Sequence, residues 1–93
     1  MLVKLKTFSV LAECGSYTET AKKLYCSQPA VSQHIRFLEK HYQTKLVTRK
    51  NQQIVLTERG ALLKEYTEKI MGLCEELDDK MTSAENGQEL ICP

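Results

Sequence analysis

The 93-residue chain predicts a mainly α fold with one small β-hairpin, ending in a long helix. Three observations carry that expectation. Apolar residues recur at helical spacing through the first forty residues, and glycine, serine and proline punctuate them. The period then shortens around residues 45–56, where β-prone residues flank a polar turn. Beyond Thr57 one apolar seam continues for more than twenty residues without a break.

The first helix is expected over residues 2–14, with Leu5, Phe8, Leu11 and Ala12 on one face. Gly15 ends it, because glycine enters the left-handed region without a Cβ clash. Ser16-Tyr17-Thr18-Glu19 has the form of a capping box opening a second helix, expected to reach about Tyr25 with Ala21 and Leu24 inward. Cys26-Ser27-Gln28-Pro29 is the next break. Ser27 is a good N-cap, and proline is tolerated in a first turn because its missing N–H has no partner there. The third helix is expected to run from Ser27 to His41 or Tyr42, with Val31, Ile35, Leu38 and Tyr42 as its core stripe. Residues 45–49 and 54–56 then form the hairpin, with Lys50-Asn51-Gln52-Gln53 turning between them. Thr57 caps a last helix over 58–84. At 1.5 Å per residue it would be about 40 Å long, too long to be covered by so small a domain.

Charge divides the chain at the same place. Residues 1–57 hold nine Lys/Arg against three Asp/Glu, whereas residues 58–93 hold four against nine. A basic front half suits a polyanionic partner, and an acidic back half stays away from one. With Val31 at zero and about 100° per residue, Pro29, Ser32, Gln33, Arg36 and Lys40 fall opposite the core stripe. That face carries hydroxyl, amide and guanidinium groups and no carboxylate. Guanidinium pairs with guanine edges, amide with adenine, and hydroxyl with base edges or phosphate. Two short helices joined by a tight turn, the second bearing this face, describe a DNA-reading helix-turn-helix rather than a merely solvated surface.

Other classes are poorly served. His34 and His41 lie seven residues apart on one helix, with no Cys or acid placed to complete a catalytic group, so no enzyme is expected. No paired Cys/His spacing suggests zinc. Cys26 beside a helix start invites a redox reading, but a small buried turn residue accounts for it better. An adaptor without DNA would have no reason to segregate charge. No membrane-length apolar run or signal pattern is present, which points to a cytoplasmic chain with Cys14, Cys26, Cys74 and Cys92 as free thiols.

The stretch Phe8-x-x-Leu11-Ala12-Glu13-x-Gly15-Ser16-Tyr17-Thr18-x-x-Ala21-x-x-Leu24-x-x-Ser27-Gln28-Pro29-Ala30-Val31-Ser32-x-x-Ile35-x-x-Leu38-Glu39 resembles the N-terminal signature of LysR-type transcription regulators. Leu46-Val47-Thr48-Arg49 and Leu56-Thr57-Glu58-x-Gly60 are similar to that family's wing and the start of its linker. The resemblance covers about residues 3 to 84. It implies a winged helix-turn-helix over 1–57, a dimerisation helix over 58–84, and in 85–93 the start of an effector domain that this chain lacks.

By position, Gln28, Pro29, Ser32, Gln33 and Arg36 would meet bases or nearby phosphates, with Gln28 and Arg36 the foremost base readers. Ser27, Arg49, Lys50 and Thr18 would meet the backbone or groove edge. The face argument reaches neither Thr18 nor Gln28. The wing would enter an adjacent minor groove.

Leu63, Tyr66, Ile70, Leu73, Leu77 and Met81 form the expected dimer seam, and the resemblance implies an antiparallel copy as the partner. Two-fold symmetry then implies a partly palindromic site. No cofactor is expected in this chain; the resemblance places a small-molecule inducer, and tetramer assembly, in the missing domain. The sequence departs from the pattern in three places. Gln43 stands where glycine is usual, Val47 where phenylalanine is usual, and Phe37 at a position usually polar. Gln43 should therefore adopt a positive φ, and Phe37 should pack on a neighbouring helix.

Overall fold

The computed structural model describes residues 1–83. Its elements are α1 (Leu2–Cys14), α2 (Tyr17–Lys23), α3 (Gln28–Tyr42), β1 (Val47–Lys50), β2 (Gln53–Leu56) and α4 (Glu58–Ser83). The predicted order and class hold. Ala84 and residues 85–93 lie outside the described residues, so the final boundary and the expected effector start do too.

The helix ends follow from their local chemistry. Gly15 closes α1 at φ 69°, its N–H donating to the Leu11 carbonyl at 2.8 Å. The Ser16 hydroxyl accepts from the Glu19 N–H at 3.2 Å, but only this half of the capping box forms. The Glu19 carboxylate turns instead to Lys22, 3.8 Å away. Helix α2 stops at Lys23, short of the predicted Tyr25, because Tyr25 itself takes φ 55° to turn the chain. Ser27 caps α3 by accepting from the Ala30 N–H at 3.2 Å. Gln43 ends α3 at φ 53°, as the missing glycine required.

The hairpin is tighter than predicted. Lys50 pairs with Gln53, so both belong to strands and only Asn51 and Gln52 turn. Their φ values of 52° and 66° are the doubly left-handed pattern that matches strand twist in a two-residue hairpin.

Leu5, Phe8 and Leu11 from α1 and Ile35 and Leu38 from α3 form the core, closed by Leu46 and Ile54. Val31 and Ala21 are buried between α2 and α3. Each such side chain contributes on the order of 1.5–3 kcal/mol by leaving water. Tyr42 departs from the expected stripe: as the last residue of α3 it is largely exposed.

Five hydrogen bonds tie the hairpin and its base to the helices. The Ile54 N–H donates to the Gly15 carbonyl at 3.0 Å. Glu39 Oε2 accepts from the N–H groups of Leu46 and Val47 at 2.9 and 3.4 Å. The Thr57 hydroxyl donates to the Lys45 carbonyl at 2.6 Å and accepts from the Gly60 N–H at 3.0 Å, so it both closes the hairpin base and caps α4. Gly60 sits against the same strand, where a Cβ would lie 2.0 Å from the Leu46 carbonyl oxygen.

Candidate nucleic-acid interface

Because Val31, Ile35 and Leu38 point inward, α3 must present its other side to solvent. Gln28, Pro29, Gln33, Arg36 and Lys40 are all exposed there, and Ser32 is half-buried among them. The Arg36 guanidinium donates to the Ser32 hydroxyl at 3.0 Å, one turn back, which steadies the long side chain along the helix. Ser27 stands exposed at the start of the same helix, its hydroxyl committed to the cap. The predicted reading residues are thus brought onto one surface.

Arg49 and Lys50 lie on β1 and are exposed. Period-two alternation puts Arg49 on the same side as Val47, opposite buried Ile54 in the pairing register. It therefore turns toward the helices, while Lys50 points the other way. Thr18, exposed on α2, meets Arg49 and Gln28 around a polar cleft of 130 Å³ that Ser16, Tyr17 and Gln52 also line. Thr18 and Gln28, which no face argument reached, are thereby joined to the rest. Gln52 and Tyr17 were missed from sequence. Gln52 was hidden in a generic turn, and Tyr17 carried no signal beyond its place in a capping box.

Electrostatics favour an anion at this surface. Among the described residues the ion pairs are Lys22–Glu19, Lys64–Glu68, Lys69–Glu65 and Lys80–Glu76. None involves Arg36, Lys40, Arg49 or Lys50. The Tyr17 phenol is pushed above its ordinary value, first by burial and then by the Glu39 carboxylate, against the opposing pull of Arg49 and Arg36.

Several expectations need correction. Cys26 is exposed, not buried, because the turn at Tyr25 carries both residues outward. Phe37, by contrast, does meet its neighbouring helix, through Lys4, whose ammonium lies 4.7 Å above the ring, and it stacks on His41. The expected dimer seam also divides. Leu63 and Ile70 pack against this chain's own core, whereas Tyr66, Leu73, Leu77 and Met81 remain exposed, joined by Leu62. Beyond Ile70 and Met71 the seam runs past the core, so its later residues have none of the core cluster beneath them. A groove of 510 Å³ opens beside this helix, with Tyr42, Leu62, Tyr66 and Ile70 in its walls.

Residues 2–61 match the family model of the bacterial regulatory helix-turn-helix proteins of the LysR family. The chain belongs to the LysR family. It is a helix-turn-helix domain of that family, whose members are transcription regulators and not enzymes. Among curated relatives, the “Probable RuBisCO transcriptional regulator” of Phaeodactylum tricornutum is 38% identical over 94% of this chain. The match spans 28% of that regulator's length, so this LysR-family chain corresponds to less than a third of it.

Solved structures agree. The crystal structure of a BenM_DBD/catB site 1 DNA complex superposes with a TM-score of 0.88 at 25% identity, covering 95% of each chain. The CbnR_DBD–DNA complex gives 0.83 at 30% identity, covering 90% of this chain and 97% of that one. The winged helix-turn-helix with a long C-terminal helix is therefore the fold of this LysR-family domain. Among its described residues no helix is long and apolar enough to cross a membrane.

Proposed function

We propose that this domain binds duplex DNA sequence-specifically as a homodimer, with α3 in the major groove and the β1–β2 wing at the adjacent minor groove. The observation that carries the reading is the outer face of α3: Gln28, Ser32, Gln33, Arg36 and Lys40 without a carboxylate among them and, among the described residues, with no ion pair holding the cations. Arg36 and Gln28 are the base readers. Pro29, Ser32 and Gln33 line the groove beside them. Ser27, Thr18, Arg49 and Lys50 hold the sugar-phosphate backbone.

Dimerisation through Tyr66, Leu73, Leu77 and Met81 of α4 places two recognition helices about a two-fold axis. The target is then a partly palindromic promoter site with half-sites about one helical turn apart. Likeness to the solved DNA complexes supports the duplex-binding part of this reading. In a full-length regulator an effector domain would bind a small-molecule inducer and build a tetramer, within the cytoplasm.

Fluorescence anisotropy with mixed-sequence duplex, from low to physiological salt, tests the proposal. Binding should weaken steeply with salt, because each neutralised phosphate releases counterions. Arg36→Ala should weaken it about tenfold or more. A folded dimer that binds no duplex even at low salt would leave the reading without support.

A further inference from the structure

We propose that the Tyr17 hydroxyl is a DNA-phosphate contact, donating to the strand that passes between the recognition helix and the wing. The inference rests on the DNA-binding reading above and adds to it a residue outside the predicted reading face.

Tyr17 is half-buried and packs its ring against the core. That anchoring takes away the rotamer freedom a surface tyrosine would have to lose on binding. Tyr17 also lines the polar cleft of 130 Å³, together with Thr18, Gln28, Arg49 and Gln52. Arg36 of α3 and Arg49 of β1 are both close enough to influence the phenol electrostatically, as is Glu39. Tyr17 therefore lines a cleft to which α2, α3 and the wing all contribute.

A helix in a major groove and a hairpin in the adjacent minor groove have one sugar-phosphate strand between them. On this protein that strand crosses the Tyr17 cleft. The neighbouring groups suit a phosphate. The guanidinium groups of Arg49 and Arg36 supply positive charge near the phenol. The Glu39 carboxylate, the nearby group that would repel an anion, already accepts from Leu46 and Val47 through Oε2. The phenol is a neutral donor at physiological pH, and burial shifts it further from ionisation. A neutral donor to a charged acceptor is the stronger kind of hydrogen bond.

The experiment compares the parent chain, Tyr17→Phe, Arg49→Gln and the double variant on one mixed-sequence duplex across a salt series. Urea unfolding of each protein is measured alongside. Tyr17→Phe should bind about tenfold more weakly. Its salt dependence should stay that of the parent, since no charge is lost, while Arg49→Gln should flatten the salt slope by about one per contact. The double variant should lose less than the two single losses combined, because both residues hold the same phosphate. The unfolding midpoint of Tyr17→Phe should stay at the parent's value.

Binding of Tyr17→Phe within twofold of the parent overturns the inference. So does a loss that comes with a lowered unfolding midpoint, or losses that simply add. A parent that binds no DNA at low salt overturns the DNA reading itself, an outcome distinct from those three.

Discussion

The two ends of α4 stand in different surroundings. Its first half is part of the winged domain: Gly60 and Thr67 are buried, and Leu63, Ile70 and Met71 pack on the core. From Leu73 onward the same helix has no core beneath it, and Leu73, Leu77 and Met81 are 64%, 59% and 65% exposed. The sequence pattern does not change between the halves. What changes is the supply of neighbours, since α1 is 13 residues long and α4 is 26. An apolar seam thus means core where the domain reaches and an unfilled surface where it does not. Monomeric proteins rarely leave such stripes open.

The largest expected effect tests the covered half. Gly60→Ala would drive a methyl group into the Leu46 carbonyl, backbone that the hairpin base holds rigidly through Thr57. A loss of about 3 kcal/mol is expected in urea unfolding. A loss under about 1 kcal/mol would mean that the wing base yields easily, and the contrast between the halves would weaken.

The uncovered half should respond differently. Leu73→Asp with Leu77→Asp should leave the cooperative unfolding of the winged domain nearly unchanged while weakening self-association at least tenfold by sedimentation equilibrium. Unaltered association would show that these residues are not the dimer surface. A large drop in domain stability would show that they are covered within the chain after all.

The smallest effect concerns the junction between the recognition helix and the wing. Gln43 holds φ 53°, which a side chain with a Cβ adopts at a cost. Gln43→Gly should raise stability by about 1 kcal/mol. No gain would indicate that the glutamine side chain makes an offsetting contact along the groove it helps to line.

Much of this molecule is legible in its residues because the deciding interactions are local. Gly15, Ser27 and Thr57 act within three or four positions of themselves, so the sequence alone places the helix ends at these residues. The reading face of α3 is likewise a property of one helix and its period. The Tyr25 turn is less legible: a bulky residue at positive φ goes against propensity, and backbone bonds from Tyr25 and Cys26 back to Lys22 and Ala21 close α2 in that conformation.

Residue order alone thus settles the succession of elements, the segregation of basic from acidic halves, and the outer face of the recognition helix. Packing in three dimensions settles the rest: which half of the α4 seam is core, that Glu39 holds the wing base, and that Tyr17, Thr18, Gln28 and Arg49 share one cleft. The physical reason is distance along the chain. Thr18 and Arg49 belong to elements separated by a whole helix, and no periodicity can report on residues that meet only after α2, α3 and the hairpin have packed.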